Sequence, residues 1–355
     1  MINFAVGPVT SPDIVLEIGK QSTPYFRTAE FSSVMIDNER MMLQLLYAPE
    51  GSRCVFLTAS GTGAMESCVM NILCRDDKVI IVNGGSFGQR FVDLCRMHEI
   101  RFTEVQCEFG HQIVSDQLDG LEDHTALLVN MHETSSGLLY DMPMIADYCK
   151  RNGILLIVDA ISSFIADPLN MEALDAAAVI TSSQKALAIQ PGISAVALSP
   201  EALRRVDESN DTCMYLSLKH ALKDGLRGQT PFTPAVTILL QIHARLKDIT
   251  ENGGVEGEQV KIRGIAEEFR NGISDLPLLT IPECPSNALT ALHPISKNAR
   301  VIVDVLYNDY GIWACPNGGD KENEVFRIGH IGNITHKDNK ILIDALHHMQ
   351  KQHIF

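Results

Sequence analysis

Between residues 50 and 200, short runs rich in Val, Ile, Leu and Ala alternate with longer stretches whose apolar residues recur at helical spacing. The short runs are Cys54–Thr58, Val79–Asn83, Phe102–Val105, Ala126–Asn130, Ile154–Val158, Ala178–Thr181 and Ala195–Ser199, and each predicts a strand. The stretches Gly63–Leu73, Phe87–Met97 and Met142–Arg151 predict helices between them. Such alternation predicts an α/β fold with a mainly parallel sheet covered by helices on both faces, three layers in all, with ligands at the carboxyl ends of the strands. Residues 234–275 read as helical apart from a break at Asn252-Gly253-Gly254. Weaker strands follow at Leu289–His293, Ile312–Cys315 and Val325–Ile328, and a last helix spans 336–352.

A chain of 355 residues exceeds what one core usually organises. The expected division is an N-terminal arm at 1–13, a large domain at 14–235 and a smaller C-terminal α+β domain at 236–355. The 45% hydrophobic and 21% charged shares suit a globular protein. No apolar run is long enough to span a membrane. The start of the sequence has no basic flank or long apolar stretch, so no signal peptide is expected and the cytoplasm is the expected compartment. The net charge of -15, from 29 basic and 44 acidic side chains, repels phosphate backbones, so nucleic acid is not an expected partner. The nine cysteines include no C-x-x-C pair and the twelve histidines show no metal-ligand spacing, so reduced thiols and no metal site are expected.

Candidate chemistry clusters where strands end. Asp159 closes the run Ile154-Leu155-Leu156-Ile157-Val158-Asp159, and Lys185 follows the strand at Ala176–Ile180 within Thr181-Ser182-Ser183-Gln184-Lys185. A lysine amine condenses with an aldehyde, and a carboxylate beneath a pyridine nitrogen keeps that nitrogen protonated, which is what pyridoxal phosphate chemistry requires. Alone, the pair is a weak signal, because a lysine after a strand is usually a solvated surface residue and such a carboxylate is often a helix cap. Ser60-Gly61-Thr62-Gly63-Ala64 joins the first strand to a helix and is either a tight turn or a cup for a single phosphate at the positive helix end. Phe87, in Asn83-Gly84-Gly85-Ser86-Phe87-Gly88-Gln89-Arg90, is either a core ring or a shelf for a flat cofactor. Met131-His132-Glu133-Thr134-Ser135-Ser136-Gly137 offers loop hydroxyls. Arg327 lies in the apolar strand Val325–Ile328, where a guanidinium needs an anion, either a structural partner or a substrate carboxylate.

Taken in order, these segments resemble the class V aminotransferases of the fold-type I pyridoxal phosphate superfamily, the group holding alanine:glyoxylate, serine:pyruvate and 2-aminoethylphosphonate:pyruvate aminotransferases. The resemblance runs from Val6-Gly7-Pro8 through Phe26-Arg27-Thr28-Ala29-Glu30-Phe31, Ser-Gly-Thr-Gly, His-Glu-Thr-Ser-Ser-Gly, Val-Asp-Ala-Ile-Ser-Ser, Ser-Gln-Lys-Ala-Leu and Gln229-Thr230-Pro231-Phe232-Thr233-Pro234 to Phe-Arg-Ile-Gly-His-Ile-Gly. Phe26 departs from the family's histidine. The resemblance implies that Lys185 forms the Schiff base, Asp159 pairs with the pyridine nitrogen, Phe87 stacks on the ring and Thr134 lies near the ring hydroxyl. It places Gly61, Thr62, Gly63, Ala64 and Gln184 around the phosphate, Thr230 and Thr233 reaching it from the other subunit of a homodimer, and Gly7 and Arg327 at the substrate.

The activity so implied is a ping-pong transamination from a small amino acid of the alanine or serine type to a 2-oxo acid such as pyruvate or glyoxylate, with Lys185 as leaving group and then proton carrier. One alternative is 2-aminoethylphosphonate:pyruvate transamination. Another is a cysteine desulfurase-type lyase using Cys315, against which stand Gln184 and Phe87, where those relatives usually place histidines. A non-catalytic descendant of the fold would commonly lose the lysine, which is present here.

Overall fold

A computed structural model describes residues 1–355 except Asp211 and Lys297. Seven strands form the large sheet: β1 (Arg53–Leu57), β2 (Lys78–Asn83), β3 (Arg101–Gln106), β4 (Ala126–Asn130), β5 (Leu155–Asp159), β6 (Ala176–Ser182) and β7 (Ser194–Leu198). Their spatial order is β1-β7-β6-β5-β4-β2-β3. All neighbours run parallel except those of β7, which is antiparallel to both β1 and β6. The central strands β4, β5, β6 and β7 are buried at every position, as continuous apolar runs require when helices cover both faces.

Two apolar cores lie on the two faces of this sheet. Ile80, Val82, Leu127, Val129, Leu156 and Val158 point to one, whereas Val79, Ile81, Ala126, Leu128, Leu155 and Ile157 point to the other. The helix α1 (Ala29–Leu45) packs on the first face through Met35, Met42 and Leu45. The second face is covered by α2 (Gly61–Ile72), through Met65, Cys68 and Val69, and by α3 (Ser86–Met97), through Phe91 and Val92. On the first side α4 (Met142–Asn152) starts at the Asp141 cap, which accepts from Met144 N, and stops at Gly153 in the left-handed conformation at φ 66°.

The helix α5 (Val236–Glu251) presents Val236, Leu239, Ile242, Leu246 and Ile249 to the first core of the large sheet. Its successor α6 (Gly254–Gly272) carries the chain across, since Val255 and Ile262 belong to that core while Phe269 begins a third one. The third core is organised by an antiparallel sheet of β8 (Leu278–Thr280), β9 (Leu289–Pro294), β10 (Cys315–Pro316) and β11 (Phe326–Gly329) in the order β8-β9-β11-β10. The helices α7 (Ala299–Tyr310) and α8 (His336–Lys351) supply its Ile302, Leu306, Leu342 and Leu346. The N-terminal strand Ile2–Asn3 pairs in parallel with Ile312–Trp313, so the start of the chain is anchored on this C-terminal part. Among the described residues, no helix is long and apolar enough to cross a membrane.

Candidate active site

The carboxyl ends of β1, β2, β4, β5 and β6 deliver the predicted segments to one place, with the N-termini of α2 and α3 beside them. Asp159 ends β5 and is 5% exposed. Burial pushes its carboxyl up to about 6, against the hydrogen bond that Oδ1 accepts from Ile161 N at 2.8 Å and the nearby Arg90 and Lys185 charges. Lys185 is partly buried, and its ammonium donates to the Val6 carbonyl at 2.9 Å. Burial brings this amine down to about 8, with the Arg327 charge acting in the same direction. The two groups feel each other's charge, so the acid and amine separated by a whole strand in sequence share one site.

Arg327 enters from β11. Its Nη1 donates to Thr134 O at 3.2 Å and its Nη2 to Pro316 O at 2.9 Å, while Nε is buried without a partner. Burial lowers its affinity for the proton. A guanidinium held by two carbonyls, with a third donor idle, touches no carboxylate among the described residues, and Glu133 acts on it only through its charge. Of the two sequence readings of Arg327, the structural ion pair is not found among the described residues.

Gly7 has φ +127°, and a Cβ placed on it would lie 2.5 Å from Lys185 Cδ and 2.7 Å from Nζ. Gly61 opens α2 and abuts the Ile161 side chain, Gly63 faces Ala59, Ala64 is fully buried, and Thr62 Oγ1 accepts from Arg90 at 2.9 Å. Phe87 sits in the first turn of α3 with Arg90 over its ring, 4.9 Å from the centroid. Thr134 Oγ1 shares a 2.8 Å hydrogen bond with Ser162 Oγ. Gln184 accepts from Val9 N through its carbonyl and from Ser182 Oγ at 2.6 Å through Oε1. Thr230 and Thr233 lie elsewhere, lining a groove with Thr58, Tyr215 and Phe232 that includes none of Lys185, Asp159 or Arg327.

Three residues escaped sequence reasoning. Glu133, 0% exposed, accepts from Phe87 N at 3.2 Å, Gly88 N and Ser135 N at 3.1 Å, Asn130 Nδ2 at 3.0 Å and the Ser135 hydroxyl. It places a carboxylate at the positive end of α3 and pins the Phe87 turn. His132, 2% exposed, has two unpartnered ring nitrogens, and burial together with the Lys185 and Arg327 charges brings it to about 3, so its ring is neutral. Arg90 is a cation one turn into a helix N-terminus, and that unfavourable placement was the available signal. Cys315 is the ladder partner of Arg327 and so is fixed in a strand.

Residues 21–312 match the family described as aminotransferase class-V, and the chain belongs to that family. It is a pyridoxal phosphate-dependent transaminase by class. It is 28% identical over 341 residues to the soluble hydrogenase 42 kDa subunit of Anabaena cylindrica, covering 94% of this chain and 88% of that one. It is 28% identical over 319 residues to the 2-aminoethylphosphonate–pyruvate transaminase of Pseudomonas entomophila (strain L48), covering 85% of each. The alanine–glyoxylate aminotransferase structure from Nostoc sp. superposes with a TM-score of 0.91 at 21% identity, over 98% of this chain and 95% of that one. The large parallel sheet with its separate antiparallel one is the fold-type I architecture.

Proposed function

We propose that this protein moves an amino group from a small amino acid of the alanine or serine type to a 2-oxo acid such as pyruvate or glyoxylate, using pyridoxal 5'-phosphate. The residues present fit that cofactor. A glycine-lined helix start at Gly61 offers backbone donors to a phosphate, Phe87 gives a flat face, and Asp159 gives a buried carboxylate for a ring nitrogen. The hydrogen bonds of Arg90, Lys185 and Arg327 go to a hydroxyl and to carbonyls rather than carboxylates, which leaves cationic charge for an anionic guest. When bound, the cofactor supplies an electron sink for the bond broken at the substrate's alpha carbon.

The chain's own groups then divide the work. At about 8, Lys185 has roughly a tenth of its amine neutral at pH 7, against well under a thousandth for an ordinary lysine, so it is both a better nucleophile and a proton carrier at the alpha carbon. Arg327 receives the substrate carboxylate with its idle Nε and reoriented fork and so orients the scissile bond. Thr134, held by Ser162, and Gln184 border the ring and phosphate, and Gly7 leaves Lys185 room to swing. Thr230 and Thr233, apart from Lys185 within one chain, complete the phosphate site from a second subunit of a homodimer.

The observation that carries the reading is the unsatisfied Arg327 guanidinium beside a depressed lysine and a buried aspartate. A second reading, transfer from 2-aminoethylphosphonate to pyruvate, is favoured by the 28% identical Pseudomonas relative. The test is a panel of amino donors added singly to the loaded protein while the cofactor's visible band is followed. Alanine or serine should convert it. Conversion by 2-aminoethylphosphonate alone would select the second reading, and no conversion by any amino donor would reject both.

A further inference from the structure

So far Arg90 counts only as one of three cationic charges at the site, yet its surroundings are specific. It stands one turn into α3, where the helix dipole disfavours a cation, and the carboxylate nearest that helix end, Glu133, is committed to backbone N–H groups. Its Nη1 donates to Thr62 Oγ1 at 2.9 Å, and its guanidinium lies over the Phe87 ring at 4.9 Å. Its charge also acts on Asp159 and on Lys185. One side chain therefore touches the start of α2 and the start of α3, which are separate in sequence.

The hydrogen-bond chemistry of Thr62 gives this contact a direction. A hydroxyl has one proton to donate and two lone pairs, whereas a guanidinium only donates. With Arg90 filling a lone pair, the Thr62 proton is left free to point at an acceptor, and the nearest helix start is the one that offers backbone donors to an anion.

We propose that Arg90 is a positioning residue that fixes Thr62 as a hydrogen-bond donor to the cofactor's phosphate and holds the Phe87 shelf in register with that cup. This rests on the pyridoxal phosphate reading of the site. It differs from a direct anion contact in that the effect passes through the Thr62 hydroxyl.

The test uses cofactor-free full-length protein titrated separately with pyridoxal 5'-phosphate and with pyridoxal, reading the visible band, for wild type, R90M, R90K, T62V and T62V/R90M. The quantity of interest is the ratio of the two affinities, which isolates the phosphate. R90M should lower that ratio at least tenfold and R90K should restore much of it, because an ammonium also donates to Thr62. T62V should lower it similarly, and adding R90M to T62V should change it less than threefold. A ratio within twofold of wild type in folded R90M, or effects of R90M and T62V that multiply, would overturn the proposal. Should R90M fail to fold, R90K and T62V/R90K are compared in its place by the same criterion of non-additivity. A wild-type protein that forms no visible band with pyridoxal 5'-phosphate would overturn the functional reading and this proposal together.

Discussion

Gly7 and Lys185 are in contact although far apart in sequence: a Cβ at position 7 would stand 2.5 Å from Lys185 Cδ, and the preceding carbonyl, that of Val6, accepts from Lys185 Nζ at 2.9 Å. The arm thus closes over the amine, and φ +127° at Gly7 is a conformation that side chains resist. Gly7→Ala should cut turnover at least tenfold while leaving cooperative unfolding intact, because the clash falls on the Lys185 side chain rather than on packed apolar side chains. Steady-state kinetics with a thermal melt check this; wild-type turnover would show that the arm moves away from Lys185.

Arg327 should matter to substrates through their carboxylate. Arg327→Gln should lower kcat/KM for a carboxylate-bearing acceptor by about a hundredfold, on the order of 3 kcal/mol, as expected for losing a charge-assisted pair in a buried site. Arg327→Lys should fall between, since an ammonium lacks the planar fork. Equal kcat/KM in all three proteins would remove Arg327 from the substrate site.

Glu133 should hold the Phe87 turn. Glu133→Gln replaces an all-acceptor group with one bearing an amide N–H2 that must face some of the donors from Phe87, Gly88, Ser135 and Asn130. We expect a loss of roughly 2–4 kcal/mol in urea unfolding and weaker cofactor retention. An unchanged midpoint would mean that these donors find other acceptors.

Asp159 should burden the cofactor-free protein. Its carboxyl titrates at about 6 in the fold against 3.8 free, so its destabilising effect is absent below pH 3.8, grows as pH rises to 6 and is full above that. Asp159→Asn should therefore raise the stability of cofactor-free protein at pH 7.5 by roughly 1–3 kcal/mol, with little gain at pH 4, while abolishing most transamination. Melting temperatures at the two pH values decide it; equal gains at both would show that ionisation is not the cause.

The fold was legible where a single stretch carried its own signal. Val79–Asn83 and Ala126–Asn130 are buried apolar runs, and Asp141 and Gly153 bracket their helix with a cap and a left-handed stop. The reversed direction of β7 and the sheet order were not, because they depend on pairings such as Val196 with Val55 across the chain. The edge strand β8, Leu278–Thr280, with Leu278 alone buried, was too short a run to read. In the site, residues at or just past strand ends such as Asp159 and Lys185 could be found by position, whereas the hold of Glu133 on the Phe87 turn comes from amides 45 and 46 residues away. The arm's contact with Lys185 had no local signal, and nothing local to Thr230 and Thr233 told that they line a groove apart from Lys185.

The central claim is that the Lys185 amine captures pyridoxal 5'-phosphate. The most direct measurement is the visible spectrum of wild-type and Lys185→Ala protein after incubation with pyridoxal 5'-phosphate and borohydride reduction, with mass analysis of the peptide containing position 185. Wild type should show the band and carry the reduced cofactor on that peptide, and the variant should show neither while keeping its fold. Reduction that labels a different lysine in wild type, or an unchanged band and turnover in the variant, would contradict the account.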